Sequence, residues 1–183
     1  TARGGQFQHG KLTKDHNQKS VEWQKLMNNS TREFFRKWGT TVQHDAYMMP
    51  IVSPKYDIGF VVKNVDLNSM LELEPWCSNL YVENTDNVDL YVEMEQENTT
   101  TNLKDKIKEI NSEHSNDVVI EFDASLMNNE TFNVLVNLSK ILEDSGQAPE
   151  NSDNVVEMEL GIFKVKIKAL KNKTMEYVKC PTI

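Results

Sequence analysis

Two apolar segments of the sequence end in polar side chains that can bind a ligand. Lys63 and Asn64 follow the run IGFVV, and Asp123 ends the run VVIEFD. In open α/β sheets, ligands bind outside the carboxyl ends of the central strands. If the two runs are parallel strands, the three side chains meet at one edge and suit a polar, hydroxyl-rich molecule. The structural alternative, that Asp123 caps the following turn, is the commoner role of such a residue.

A histidine beside a glycine is the second residue with chemical potential. His9 precedes Gly10 in the polar segment QFQHGKL, where a short strand is predicted at Gln6–His9. Neutral imidazole is a good ligand for a divalent metal, and a flexible loop can close over a bound metal–diphosphate. The alternative is that His9 is simply exposed to solvent, as a lone histidine in a polar loop usually is.

Other common catalytic and cofactor motifs are absent from the sequence. It contains no glycine-rich phosphate-binding pattern, no Gly-x-Ser-x-Gly elbow and no Cys/His spacing of a zinc site. Cys77 follows Pro75 and Trp76 in an apolar context that favours a buried thiol. The catalytic residues, if the chain has any, therefore stay unknown at this stage.

Composition excludes several classes of partner. The net charge is −8 and the isoelectric point is near 5.1, which argues against a nucleic-acid or anionic-membrane surface. The longest apolar runs have the length of strands, so no transmembrane segment is predicted. Two cysteines, Cys77 and Cys180, are too few for a disulfide framework and favour a reducing, cytoplasmic compartment.

A long helix is predicted over residues 20–38. Apolar residues recur at steps of three and four from Trp23 to Trp38, which is the spacing of one helical face. Ser20 is the expected N-cap and Gly39 the expected C-cap. Such an aromatic stripe must pack against something.

From residue 56 onward, strand and helix patterns alternate, which predicts an α/β fold. The predicted strands are YDIGFVVKN, SNLYVEN, VDLYVEME, DVVIEFD and VVEMELGIFKVKIKAL; the predicted helices are LNSMLELEPW, TNLKDKIKEINSE and NNETFNVLVNLSKILEDSG. We expect an open, mostly parallel sheet of about four to five strands, preceded by the long aromatic-bearing helix. Flanking helices are expected on both faces, and the lysine-rich last strand is expected at an edge.

The first forty residues resemble a known family. The motif HGKLT, followed by a polar stretch and then by NNSTREFFRKWG, is similar to the C-terminal end of inverting, family-2-like glycosyltransferases of the GT-A fold. Those domains finish with a His-Gly loop and a closing helix that ends in Phe-x-x-Lys-Trp-Gly or a similar pattern. Phe34 or Phe35, with Lys37, Trp38 and Gly39, provide that ending here.

The resemblance implies a role for each part of the chain. His9 would lie near the metal, Mn²⁺ or Mg²⁺, and the diphosphate of a nucleotide sugar, and the aromatic helix would pack against the catalytic domain. The family's Asp-x-Asp motif and donor-binding strands belong upstream, and DNVD at 86–89 has the wrong spacing to replace them. Residues 1–39 are thus predicted to be the tail of such a domain, 40–55 a linker and 56–183 an α/β accessory domain.

These expectations predict that the chain is a fragment of a longer enzyme. By itself, the fragment is expected to have no activity and to need no cofactor. In the parent enzyme, the partners would be a nucleotide sugar and a saccharide acceptor. The accessory domain is also compatible with the formation of a homo-oligomer. The competing hypothesis is a non-enzymatic interaction or scaffold domain, for example of viral or surface origin, whose likeness to the transferase tail is coincidental. An Asp-x-Asp motif after a strand in an upstream reading frame would separate the two.

Overall fold

The structure is a computed structural model that describes residues 14–146 and 155–174, with side chains from residue 20 onward. His9 and the strand predicted around Gln6 lie outside the described residues. The helices are α1 (Lys14–Trp38), α2 (Leu67–Leu73), α3 (Asp86–Glu95), α4 (Leu103–Lys106), α5 (Asn129–Val136) and α6 (Leu138–Ser145). The strands are β1 (Gln43–His44), β2 (Pro50–Ile51), β3 (Ile58–Lys63), β4 (Asn79–Val82), β5 (Ile107–Glu109), β6 (Val118–Asp123), β7 (Val156–Leu160) and β8 (Phe163–Ile167).

Six of the strands form one mixed sheet in the order β5-β4-β3-β6-β8-β7. Strand β3 is parallel to both β4 and β6, and β4 is parallel to β5, whereas β8 is antiparallel to both of its neighbours. The two continuous apolar runs lie side by side in the centre, because a strand buried on both faces needs no polar residues. The predicted α/β fold with a mostly parallel sheet is confirmed, with six strands in place of four to five.

The lysine-rich segment is not the edge strand that its alternation predicts. It is the second half of a hairpin: β7 forms the edge, and β8 lies between β7 and β6. Gly161, at φ 60°, takes the left-handed conformation in the turn between the two strands. Lys164 and Lys166 alternate outward because one face of β8 is exposed, a pattern that any strand shows in a sheet with one open face.

The six helices α1 to α6 pack on one face of the sheet, so within the described residues the expectation of helices on both faces is wrong. Each helix contributes side chains to the core built on Ile58, Phe60 and Val62 of β3. Among the described residues, the opposite face buries only the small cluster of Val61, Tyr81 and Val119, with Ile110 packed against it.

The connection between β5 and β6 explains the open face. Strand β5 lies at one edge and β6 lies beyond β3, so a right-handed parallel connection must cross the face opposite the helices. Residues 110–117 make this crossing without a helix. Ile110 packs on the small cluster, and the His114 ring meets the Tyr81 ring edge-on at 4.5 Å. A loop, which is thinner than a helix, leaves the charged parts of this face in water.

Three further segments differ from their predicted structure. VDLYVEME, predicted as a strand, lies in α3, where Tyr91 and Val92 are buried on the helix. TNLKDKIKEINSE, predicted as a helix, contains one turn of α4 followed directly by β5. The long helix predicted after Asn128 is interrupted at Asn137, which separates α5 from α6.

The N-terminal helix matches its predicted end. Gly39 has φ 67°, and its N–H donates to the Phe35 carbonyl at 2.7 Å, as expected of a glycine C-cap. The segment 40–55 that follows contains the short antiparallel hairpin of β1 and β2. None of the described helices combines the length and apolar character needed to cross a membrane.

Candidate functional site

The strand order reverses between β3 and β6. Strand β3 leads through α2 to β4 on one side, and β6 leads through α5 and α6 to the β7–β8 hairpin on the other. In open α/β sheets, ligands bind at such a reversal, outside the carboxyl ends of the strands. Strands β3 and β6 are parallel and in register, with Lys63 opposite Asp123. The structure therefore brings the three residues predicted from sequence to one place.

Asn64 links the ends of neighbouring strands. It leaves β3 in a left-handed conformation, with φ 53°, which asparagine tolerates better than most non-glycine residues. Its Nδ2 donates to Oδ2 of Asp123 at 2.8 Å, and its backbone N–H makes a long contact of 3.5 Å to Oε2 of Glu83, which follows β4. The amide thus lies between the carboxyl ends of β3, β4 and β6.

Asp123 is both a turn cap and the partner of Asn64. Its Oδ1 accepts from the N–H and the hydroxyl of Ser125 at 2.9 and 2.6 Å, so it caps the 3-10 turn Ala124–Leu126. These bonds, the hydroxyl first, lower the pKa of Asp123 from its ordinary value and keep the carboxylate ionised. The structural alternative considered for Asp123 is thus present, and the other oxygen still contacts Asn64.

Lys63 pairs with Glu121 on the open face of the sheet. The Nζ and Oε1 atoms are 3.0 Å apart, and both side chains remain partly exposed. The hydrogen bond to Glu121 raises the pKa of Lys63, so the ammonium form persists well above neutral pH. Exposed ion pairs of this kind add little to stability. The ammonium can therefore exchange its partner for a ligand at little cost.

The cluster of Lys63, Asn64 and Asp123, here called the carboxyl-edge cluster, combines one cation, one amide and one carboxylate. This combination of hydrogen-bond donors and acceptors suits the hydroxyl groups of a ligand. A phosphate would be repelled by the nearby carboxylates of Glu83 and Glu121. Within the described part of the chain, no group of three or more His, Cys, Asp or Glu side chains is placed to hold a metal ion. His9, the predicted metal ligand, lies outside that part.

A buried charge cluster, which the sequence did not reveal, joins α1 to the sheet and its other helices. Glu74 is fully buried; its Oε2 accepts from Nη2 of Arg36 at 2.6 Å, and its Oε1 lies 2.6 Å from Nζ of Lys106. Arg36 also donates from Nη2 to Oε1 of Glu95 at 2.8 Å. Arg32 donates to both oxygens of Glu95, at 2.9 and 2.7 Å.

The charges of this cluster compensate one another. Burial alone would raise the pKa of Glu74, but Lys106 and Arg36 hold it below its ordinary value. Burial and Glu74 raise the pKa of Tyr91, which stays neutral and donates its hydroxyl to Oε2 of Glu74 at 2.8 Å. Across the described residues, no buried side-chain nitrogen or oxygen is left without a hydrogen-bond partner. The cluster is therefore a structural joint and offers no free group to a substrate.

Two of the cavities that border α1 have aromatic rings of this helix in their lining and a volume well above that of a water molecule. One of about 440 Å³ lies between α1, α2 and α5 and includes the rings of Phe35, Trp76 and Phe132 in its lining. The other, of about 290 Å³, lies between the end of α1 and the β1–β2 hairpin, against Phe34 and Trp38. Sequence periodicity located these aromatic residues on a helix but did not show which of them face the cavities.

Comparison with known proteins does not assign the chain to a family. No protein-family model, no curated protein and no solved structure matches it. A function must therefore be argued from the residues and the geometry of the chain itself.

Proposed function

We propose that this chain is the C-terminal portion of a glycosyltransferase that moves a sugar from a nucleotide-sugar donor, with residues 56–183 as an appended α/β accessory domain. The resemblance of residues 1–39 to the end of family-2-like, GT-A-fold enzymes motivates the proposal. The geometry is compatible with it: α1 ends at Trp38 and Gly39 caps it, so FFRKWG stands at the end of a helix. That is the position of the corresponding pattern in the family's closing helix.

The observation that carries the proposal is the firm attachment of α1 to the α/β unit, by which we mean the described residues from 56 onward. Arg36 enters the buried charge cluster, and the Phe35 ring stacks on Trp76 with their centroids 4.2 Å apart. Lys55 donates from Nζ to the carbonyls of Arg36 and Lys37, the latter at 2.9 Å. A catalytic domain joined to α1 would therefore be held in a defined orientation to the carboxyl edge of the sheet.

Within such an enzyme, the carboxyl-edge cluster is the place for the saccharide acceptor. Asn64 and Asp123 already form a hydrogen-bonded pair at 2.8 Å, and Lys63 lies beside Asp123 in register. A saccharide hydroxyl can donate to the carboxylate and accept from the amide or the ammonium. The accessory domain would then present the acceptor to the catalytic domain.

The remaining partners belong to the parent enzyme. The resemblance assigns His9 to the loop that lies near a Mn²⁺ or Mg²⁺ ion and the donor diphosphate, where the metal would neutralise the phosphate charge. The chain alone requires no cofactor under this proposal. Cys77 is buried, and burial raises the pKa of its thiol to about 12, so it is an inert thiol. We assign the protein to the cytoplasm because a chain with only two cysteines, one of them a buried thiol, is typical of a reducing compartment.

One observation favours the second candidate, an interaction or scaffold module. Ten of the fourteen large apolar side chains that are exposed among the described residues lie between Val21 and Val52, and the α/β unit carries the other four. Apolar surface concentrated in this way marks a protein–protein contact. It is compatible with either function, since an accessory domain of an enzyme also needs contacts.

The proposal is tested by titrating neutral oligosaccharides into the ¹⁵N-labelled chain. We expect amide shifts at Lys63, Asn64 and Asp123 that saturate in the wild type and disappear in Asp123→Ala. Asp66→Ala is the matched control, because Asp66 caps α2 through Ser69 just as Asp123 caps its turn through Ser125. Loss of binding in both variants, or no shifts in the wild type, would refute an acceptor site at this edge.

The enzymatic part of the proposal has its own test. Sequencing the coding region upstream of Thr1 should reveal an Asp-x-Asp motif after a predicted buried strand, in the same reading frame. A stop codon directly upstream of the codon for Thr1 or its initiator would leave the interaction module as the better explanation.

A further inference from the structure

The apolar stripe of α1 faces away from the α/β unit, contrary to what its composition leads one to expect. The residues of α1 that contact the unit include Arg32, Phe35 and Arg36. At 3.6 residues per turn, Trp23, Met27, Ser30, Phe34 and Trp38 lie on the other side of the helix. Trp23 is 61% exposed and Met27 46% exposed. Helix α1 thus uses its charged face internally and presents its apolar face outward.

The order of residues in this outward stripe is nearly symmetric about its middle. Ser30, the small residue, stands at the centre, with Trp23 seven positions before it and Trp38 eight positions after it. These distances correspond to about 10 and 12 Å along the helix axis. Met27 and Phe34 occupy the intermediate turns. A stripe of this kind is self-complementary when a second copy lies antiparallel to it, which is the requirement of a two-fold contact.

The receiving surface for the outer tryptophan is already formed. In an antiparallel pair that crosses at Ser30, Trp23 of one copy reaches the level of Lys37 and Trp38 of the other. There, the cavity of about 290 Å³ opens between Phe34, Trp38 and the β1–β2 hairpin. Hairpin residues that line it are themselves exposed, including Val42 and Ile51. An indole ring would cover them and occupy part of the space.

The charges beside the stripe also match in the antiparallel arrangement. Glu22 and Lys37 lie on the same side of the stripe, eight positions before and seven positions after Ser30, and both are exposed. The two-fold operation brings Glu22 of one copy next to Lys37 of the other, twice in the contact. A parallel arrangement would instead keep each of these residues at the level of its own equivalent, so that Glu22 and Lys37 would not meet.

We propose that this chain forms a two-fold symmetric homodimer in which the α1 helices pack antiparallel and cross at Ser30. Small residues at a crossing point allow helices to approach closely, and the flanking aromatic side chains supply the buried apolar area. The dimer does not depend on the proposed transferase function, because its contact uses only residues 22–52. Both carboxyl-edge clusters stay accessible, since they lie on the α/β units.

The first test measures molar mass by size-exclusion chromatography with light scattering. As the protein concentration rises from about 1 µM to about 1 mM, we expect the molar mass to shift toward twice the 21.1 kDa of one chain. This range of concentration detects a dimer whose Kd lies within the same limits. Trp23→Ala should raise the dimer Kd at least tenfold. Val21→Ala is the matched control, because Val21 is 63% exposed on the same turn but belongs to the unit-facing side near Leu71 and Met94. It should leave the Kd within about twofold of the wild-type value.

The second test detects the symmetry axis directly. In a Cys180→Ser background, Ser30→Cys should form a disulfide-linked dimer under mild oxidation, because residues on a two-fold axis meet their own equivalents. Thr31→Cys, one position away and directed about 100° around the helix, should not. A chain that remains monomeric up to 1 mM would overturn the proposal and leave the stripe to a different protein. A dimer that Trp23→Ala does not weaken, or that Thr31→Cys cross-links as well as Ser30→Cys, would overturn it too.

Discussion

Arg36 and Glu74 form the centre of the joint between α1 and the rest of the protein, with Nη2 of the arginine 2.6 Å from Oε2 of the glutamate. Both side chains are buried. Burial of a pair costs desolvation energy that good geometry and additional hydrogen bonds must offset. Glu95, Lys106 and Tyr91 supply those additional bonds here. The position of α1 is therefore determined by this charge cluster together with the Phe35–Trp76 stack, and not by its apolar stripe.

We predict that Glu74→Gln lowers the free energy of unfolding by about 3–5 kcal/mol, because the change removes the carboxylate that pairs with the buried Lys106 and leaves the buried Arg36 with Glu95 as its main partner. Urea unfolding followed by circular dichroism measures the loss. Glu121→Gln is the control: it also removes the carboxylate of an ion pair, but one that is partly exposed, and it should barely move the midpoint. Equal effects of the two changes would show that the joint is not buried in solution.

The same cluster predicts the response to acid. The pKa of Glu74 in the folded protein lies below its ordinary value. The stabilisation by Glu74 is therefore complete at pH values above its pKa in the unfolded chain, and it is lost as the pH falls through its pKa in the folded protein. The stability difference between wild type and Glu74→Gln should be constant above about pH 5 and should shrink below the ordinary glutamate pKa of about 4.3. Unfolding curves at intervals between pH 3 and 7 provide the measurement.

Lys55 predicts a second response at alkaline pH, where stability again rises with pH. Burial, helped by the neighbouring cations Lys106 and Lys173, lowers its pKa to about 8. The folded state thus releases its proton before the unfolded state does, and stability from this group rises with pH between about 8 and 10.5. Unfolding free energies of wild type relative to Lys55→Met should increase over that window. A difference that stays flat or falls would show that the carbonyls of Arg36 and Lys37 keep the ammonium charged.

The central sheet could be predicted from sequence because its signals are local. The runs around Phe60 and Phe122 are continuous and apolar, and the ends of such strands place Lys63, Asn64 and Asp123 without further knowledge. The orientation of α1 could not be predicted in this way. Periodicity identifies an apolar face and assumes that this face is the buried one, whereas Arg36 and Glu74 read as surface charges until a distant lysine, Lys106, is known to lie beside them.

The failures within the α/β unit have a similar cause. Tyr91 and Val92 are residue types that favour a strand. The segment is nevertheless a helix, because acidic residues in the first turn of α3 stabilise its N-terminus and because both side chains are buried on the helix. The lysines of β8 indicate one exposed face, and an edge position is only one way to expose it. Alternation in sequence reports what a strand faces and does not report its neighbours.

The aromatic residues that pack around the end of α1 should contribute unequally to stability. Trp76→Ala, which removes the ring stacked on Phe35 and packed edge-on against Phe132, should cost about 3–5 kcal/mol. Trp38→Ala should cost clearly less in the monomer, because Trp38 is only half-buried beside the hairpin. Both are measured by urea unfolding at concentrations too low for association. A larger loss for Trp38 would mean that the outward stripe is buried within one chain.

The chain alone should not act on nucleotide sugars. Under the proposed function the donor-binding strands and the Asp-x-Asp motif lie in the catalytic domain, so the purified 183 residues should neither transfer a sugar nor hydrolyse a nucleotide sugar in the presence of Mn²⁺ or Mg²⁺. Release of free nucleoside diphosphate, followed by chromatography with a panel of donors, is the measurement. Sustained turnover that scales with protein concentration would contradict this division of roles.

Gly59 should be irreplaceable because of one buried asparagine below the sheet. Asn116 donates from Nδ2 to Asp57 and Asn79, each at 2.9 Å, and accepts the Tyr81 hydroxyl at 2.8 Å. A Cβ at position 59 would lie 2.4 Å from Oδ1 of Asn116, closer than atoms can approach. Gly59→Ala should therefore displace the amide and cost at least the roughly 1–3 kcal/mol of an overpacked core.

A double-mutant cycle identifies the cause of that loss. In an Asn116→Ala background the obstructing amide is gone, so Gly59→Ala should cost at least about 0.5 kcal/mol less than it does in the wild type. Gly146→Ala is the control for glycine conformation: at φ 61° with no atom within 4 Å of the added Cβ, it should cost about 1–2 kcal/mol from backbone strain alone. Strict additivity of Gly59→Ala and Asn116→Ala would show that the two residues do not touch. Coupling of the expected sign would establish that the amide network, which joins β3, β4 and the residues before β6, fixes the approach of the three strands.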